Sequence, residues 1–290
     1  MPADLVPDPE HSFAADLDAQ TLLVEPGRCL VLAPVTDAVR APGGVASLGM
    51  VVTLADFGAS DPALVACAPD WTATQDLSLH GAGWLREGPA LVDCRLVRVG
   101  KKVVVVSADV YDGHGEHDLD ALRSAVDQGR PGPTHAARGL VTFARLPRTA
   151  AHDMDDYDPA RWLGRVRRRT TPSPADGTMY ERMGLRVVDA AAGRVEQPRT
   201  AYVANSIGTI NGGAQAVLAQ VAAEGMCPGR TAVDMELHYL SQVKVGPART
   251  VATVLRHTDD HSVVDVRLRD AGNADQLLAI ATVGLRTRSC

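Results

Sequence analysis

The 290-residue sequence is short of aromatic side chains: three Phe, three Trp and five Tyr amount to 4% of it. Ring stacking therefore has little material to work with, and an aliphatic lining is the expectation for any ligand tunnel. Basic charge is also scarce. Lys and Arg total 29 against 35 Asp and Glu, a net charge of −6, which argues against nucleic acid as a partner because phosphates need a basic face. The five cysteines (Cys29, Cys67, Cys94, Cys227 and Cys290) form no C-x-x-C pair. Such a dispersed odd set reads as reduced thiols in a cytoplasmic protein without a redox cofactor. The nine His have no ligand spacing, so no metal site is expected. No apolar run approaches the roughly 18–20 residues of a bilayer span, so no membrane is expected. The opening MPADLVPDPEHSFAADLD lacks the basic and apolar regions of a secretion signal. The G-x-S-x-G elbow of α/β-hydrolases is missing too.

What the chain does contain is itself, twice. DLSLH (76–80) and DMELH (234–238) stand 158 residues apart, and at that offset Gly88-Pro89-Ala90 meets Gly246-Pro247-Ala248, Arg98 meets Arg256 and Asp112 meets Asp270. Each copy reads as a strand, a tight Gly-Pro turn, a long strand (ALVDCRLVRVG, ARTVATVLRHT), another strand (KKVVVVSADVYD, HSVVDVRLRD), an Asp-Gly-type turn and a last apolar strand (138–147, 277–286). Each is preceded by one helix that is apolar nearly all round, LGMVVTLADFGAS (48–60) and GGAQAVLAQVAAEG (212–225). A helix of that kind is buried on most sides. One buried helix per set of antiparallel strands predicts an α+β unit with the sheet wrapped on the helix. The expected domains are 12–148 and 177–290, joined by a charge-rich linker, 149–176, with a short helix around Trp162. The run RVRRR (165–169) in that linker reads as a solvated basic stretch or a contact for a ligand's phosphates.

The stretch NSIGTINGGAQAVLAQ (205–220) resembles the central-helix signature of hotdog-fold acyl-CoA thioesterases, the PaaI-like branch of the 4-hydroxybenzoyl-CoA thioesterase superfamily. The following TAVDMELHYLSQVKVGPARTVATVLR is similar to that family's next two strands. The resemblance implies a tandem hotdog with a sheet around one long central helix in each half. It also implies acid from one half acting with Asn and glycine N–H groups from the other. Asn205 matches the motif Asn, Gly208 the first Gly and Gly212-Gly213 the glycine pair, while Asn211 replaces the usual His and Gln220 the acid. In the first half Gly44 and Gly49 match Gly208 and Gly213, and Asp56 falls on the acid position; Ala41 and Leu48 replace the Asn and the first glycine of the pair. Thr74 occupies the family's Ser/Thr position eighteen residues after the acid, where the second half has Ala232.

These losses are complementary, which predicts one composite live site and one vestigial site. The resemblance makes Asp56, Asn205, Gly212 and Thr74 catalytic, with Asn211 and Gly213 in substrate binding. The amide of Gly212 at a helix start would stabilise the oxyanion of a thioester intermediate, and Asp56 would act as base or nucleophile. The implied function is hydrolysis of a fatty-acyl or related acyl-CoA, with no cofactor and no metal. The alternatives are a non-catalytic acyl-CoA-binding double hotdog and a hotdog hydratase; a hydratase would want a His–Asp or His–Glu pair at the central helix, and neither helix contains His. A homodimer of double-hotdog chains is expected, because the outer sheet edges of such folds often pair again.

Overall fold

The computed structural model describes residues 11–147, 158–168 and 176–287. In chain order the elements are strands β1 (Gln20–Glu25) and β2 (Arg28–Ala33), helix α1 (Leu48–Cys67), strands β3 (Trp71–Gly81), β4 (Ala90–Val99) and β5 (Val103–Asp112), helix α2 (Leu119–Gln128), strands β6 (Thr134–Leu146) and β7 (Val166–Arg168), helix α3 (Met179–Arg182), strands β8 (Arg186–Asp189) and β9 (Arg194–Gln197), helix α4 (Gly212–Met226), and strands β10 (Arg230–Tyr239), β11 (Ala248–His257), β12 (His261–Asp270) and β13 (Gln276–Thr287). Both central helices start where the sequence placed them, and the four strands after each follow the repeat. This is the α+β, tandem hotdog arrangement.

Two compact units divide these elements. The first takes residues 19–35, 54–147 and 158–168, with antiparallel strands in the order β7-β1-β2-β4-β5-β6-β3. The second takes residues 11–18, 36–53 and 176–287, with strands in the order β10-β13-β12-β11-β9-β8. The units therefore depart from the sequence borders 12–148 and 177–290, since the loop and first turns of α1 (36–53) group with the second repeat. The reason lies in helix packing inside the second unit. A Cβ on Gly49 would lie 2.6 Å from the Val217 backbone, and one on Gly213 would strike the Thr53 side chain. Position 49 corresponds to 213 and 53 to 217, both 164 apart, so the helices cross in a pseudo-twofold contact at two glycines.

The Gly-Pro turns explain the repeat's other fixed points. Asp112 accepts from the N–H groups of Arg86 (2.7 Å), Glu87 (3.0 Å) and Gly88 (2.7 Å), and Asp270 from those of Lys244 (2.8 Å), Val245 (3.0 Å) and Gly246 (2.7 Å). Gly88 and Gly246 have φ of 73° and 82°, where a side chain is strained. Asp112 and Asp270 are thus structural.

Helix α2 interrupts the first repeat where only a turn was expected. Its signals are local: Asp118 accepts from Asp120 and Ala121 N–H at 2.8 and 3.0 Å, and Gly129 ends it in the left-handed region at φ 59°. Leu119 and Leu122 join Leu22, Leu30, Leu32 and Leu91, while Gly58 of α1 lies against Val31 and Cys94. Alternate residues of β2 therefore meet α2 and α1, one on each face, and all six residues of β2 are buried.

Within the expected linker, residues 158–168 are ordered structure, while 149–157 and 169–175 lie outside the described residues. Pro159–Trp162 forms a 3₁₀ turn and β7 pairs with β1, Val166 opposite Leu22. Arg167 stacks on Trp162 at 4.9 Å and forms an ion pair with Asp61 of α1. The basic run is thereby partly spent on holding an edge strand. One further expectation changes: α1, at 20 residues, is long and apolar enough for a bilayer span by length and composition, with 67% of its best window buried inside the protein, as in a core helix. Among the described residues four cysteines, Cys29, Cys67, Cys94 and Cys227, are free and buried.

Candidate functional site

In the first unit the structure brings Asp56 and Thr74 together. Asp56 sits two turns into α1, and the Thr74 hydroxyl on β3 donates to its Oδ1 at 2.7 Å. The neighbours in sequence, Thr53, Leu54 and Ala55, are buried, whereas Asp56 itself keeps partial exposure. Burial disfavours the charged carboxylate and pushes its pKa up from 3.8 to about 6, against the opposing hydrogen bond from Thr74. That is the value of a carboxyl that is ionised at neutral pH and still a competent base.

The second unit holds the other predicted residues at the start of α4. The loop before this helix reproduces the loop before α1 bond for bond. Ala41 N–H donates to Val45 O and Asn205 N–H to Thr209 O; Gly44 N–H donates to Ala41 O and Gly208 N–H to Asn205 O; Ser47 N–H donates to Val39 O and Asn211 N–H to Val203 O. Gly44 and Gly208 share φ values of 75° and 74°. Ala41 with Asn205, Leu48 with Gly212 and Asp56 with Gln220 are thereby equivalent by hydrogen bonding as well as by residue count.

Within that loop Asn205 and Asn211 each have a local partner. Asn205 Oδ1 accepts from Ile207 and Thr209 N–H at 3.1 and 3.2 Å, the bonding of a turn former. Asn211 caps α4, accepting from Gly213 N–H at 2.8 Å. Gly213 is the helix-crossing glycine. Gly212 is backed by Tyr239, whose hydroxyl donates to Gly212 O at 2.9 Å; a Cβ there would lie 3.0 Å from that hydroxyl. Sequence reasoning missed Tyr239, at the far end of β10, because nothing in spacing ties it to the glycine pair. It also missed Ser47, although Ser47 stands at the position of Asn211 and its hydroxyl accepts from Met50 N–H at 3.4 Å.

Among the described residues no cluster of three or more His, Cys, Asp or Glu could hold a metal. A cavity of about 370 Å³ lies in the first unit, lined by Leu64, Ala68, Pro69, Asp70, Trp71, Asp158 and Pro159, at the end of α1 away from its start.

Residues 201–285 match the family described as acyl-CoA thioesterase N-terminal domain. That family domain falls in the second half of this chain. A protein of Saccharolobus solfataricus described as a candidate esterase is 26% identical over 108 residues, which cover 37% of this chain and 77% of that protein. Among solved structures, the tesB protein of Mycobacterium avium subs. paratuberculosis superposes with a TM-score of 0.59 at 10% identity, covering 96% of this chain and 98% of that one. A hot dog fold protein of unknown function from Alicyclobacillus acidocaldarius gives a TM-score of 0.53 at 12% identity, covering 91% and 94%. An acyl-ACP thioesterase from Bacteroides thetaiotaomicron gives 0.51 at 11% identity, covering 89% and 98%. These likenesses establish the fold along nearly the whole chain.

Proposed function

We propose that this tandem hotdog chain hydrolyses acyl-CoA thioesters to a free acid and coenzyme A, a reading supported by the thioesterase-domain match over residues 201–285 and by the fold. The observation that carries the reading is the Asp56–Thr74 pair, a carboxyl with its pKa pushed up to about 6 and oriented by a hydroxyl at 2.7 Å. In this reading Asp56 takes a proton from a water that attacks the thioester carbonyl. The tetrahedral oxyanion is stabilised by the Gly212 N–H at the positive end of α4. Collapse breaks the C–S bond, and the thiolate leaves with the proton that Asp56 held.

The reactive set is composite, with acid and hydroxyl from the first repeat and Asn205, Gly212 and the capping Asn211 from the second. The residue inventory supports this: Ala41, Leu48 and Ala232 leave the opposite set without its Asn, glycine and hydroxyl. A non-catalytic acyl-CoA binder is the second reading, favoured by one observation, that Asn211 already holds the Gly213 amide. Incubation with a panel of acyl-CoAs of graded chain length, together with aryl-CoAs, and continuous detection of free thiol separates the two. Turnover with at least one substrate is expected; binding without thiol release across the panel would replace the enzyme by the binder. Assembly as a dimer of chains belongs to the same proposal, and a monomeric mass by light scattering at micromolar concentration would count against it.

A further inference from the structure

Gln220, which occupies in the second repeat the position of Asp56 in the first, is 0% exposed and bonded at both ends of its amide. Its Oε1 accepts from Ser47 Oγ–H and from Gly49 N–H, each at 2.8 Å. Its Nε2 donates to Glu224 Oε1 at 2.9 Å, and the same oxygen accepts from Ala232 N–H at 3.1 Å. Gly49 lies in the first turn of α1, where amides point out of the helix and the dipole favours negative charge. A hydroxyl and such an amide converging on one oxygen form the donor pair that a carbonyl or an oxyanion would need. Here the protein supplies that oxygen itself.

We propose that the start of α1 is a carbonyl-binding site closed by an internal ligand, the Gln220 amide, and that the chemical class it takes is a primary carboxamide. Glu224 sets the class. Ser47 and Gly49 donate to any oxygen, but the far side of the ligand must donate to a carboxylate, which an amide does and a carboxylate does not. Gln220 is therefore retained as an amide because an acid there would face Glu224 with like charge in a buried setting. The binding chemistry stands by itself; its consequence for turnover, that this half is filled as well as incomplete, rests on the thioesterase reading above.

Removing the internal ligand tests the site without reference to activity. Gln220→Ala should lower the melting temperature by about 5 °C, since three hydrogen bonds are lost and buried partners are left unpaired. Acetamide at tens of millimolar should restore a large part of that loss and should leave the wild-type chain unchanged. Acetate, which fills the donor end only, should not restore it. Equal effects of acetamide and acetate, or equal effects of acetamide on wild type and variant, would overturn the proposal. If Gln220→Ala does not fold, the exchange supplies the test: Gln220→Glu alone should be destabilised increasingly as pH rises through the carboxylate range, and adding Glu224→Gln should reverse this because donor and acceptor have only traded places. A double variant no more stable than Gln220→Glu would equally overturn it. Loss of thiol release in the wild type with acetamide rescue intact would reject the thioesterase reading and leave the closed site standing.

Discussion

A carboxyl held near pH 6 by apolar surroundings weakens the fold whenever it is ionised. The folded pKa of Asp56, about 6, lies above the ordinary 3.8, so the folded chain retains the proton longer than the unfolded one. Stability from this group is full below about pH 4, falls as pH rises to about 6, and then stays low; the difference is at most about 3 kcal/mol. Asp56→Asn should therefore raise the melting temperature at pH 7.5 and leave it nearly unchanged at pH 4. The same variant should lose hydrolysis by at least about a hundredfold. Retained hydrolysis would remove Asp56 from the site. Thr74→Val keeps the shape but withdraws the bond that lowers this pKa, so the acidic limb of the kcat/KM profile should move to higher pH. An unmoved limb would make Thr74 an ordinary strand residue. Single turnover in ¹⁸O-water should leave Asp56 unlabelled if water attacks the thioester; label in the carboxyl would assign attack to Asp56 itself.

At the scale of elements, the Gly-Pro turns and the helix crossing carry specific risks. Burial alone would raise the carboxyls of Asp112 and Asp270, yet their backbone N–H partners outweigh it and hold both below the ordinary value. Their contribution is thus present at neutral pH and lost as the medium is acidified below about pH 4 through the depressed folded values. Asp112→Ala and Asp270→Ala should each cost about 2–4 kcal/mol at pH 7, read by denaturant unfolding, because several buried amides lose their acceptor together. A loss under half a kcal/mol at either would show that water replaces the carboxylate. Gly213→Ala drives a methyl into Thr53 at the crossing, and a melting temperature lower by several degrees is expected.

For the whole chain the testable quantity is stoichiometry. A non-hydrolysable acyl-CoA analogue should titrate to one productive site per chain, because Asp56 with Thr74 occurs once and Gln220 is spent on Ser47, Gly49 and Glu224. Gln220→Asp should not add a second site, since Ala41 and Leu48 still stand where the Asn and the glycine are required. Two equivalent sites, or equal losses from Asp56→Asn and Gln220→Ala, would overturn the asymmetry.

The repeat, the two buried helices and the register between them were legible in the sequence because each rests on local physics. Gly-Pro turns, period-two strands and helices apolar on every side impose patterns that survive without tertiary information. Equivalence of Asp56 with Gln220 followed from counting, and the paired loops at Gly44 and Gly208 bear it out. Helix α2 has local signals as well, Asp118 and Gly129, but no counterpart in the second repeat, where a turn joins β12 to β13. Only the fold decided what each glycine, amide and hydroxyl meets. Gly213 serves a helix crossing with Thr53, Tyr239 reaches Gly212 from the end of another strand, and Gln220 is bonded to residues 171 and 173 positions away. Hydrogen bonds and close packing are set by distance in space, and a chain's residue order fixes that distance only within a few residues.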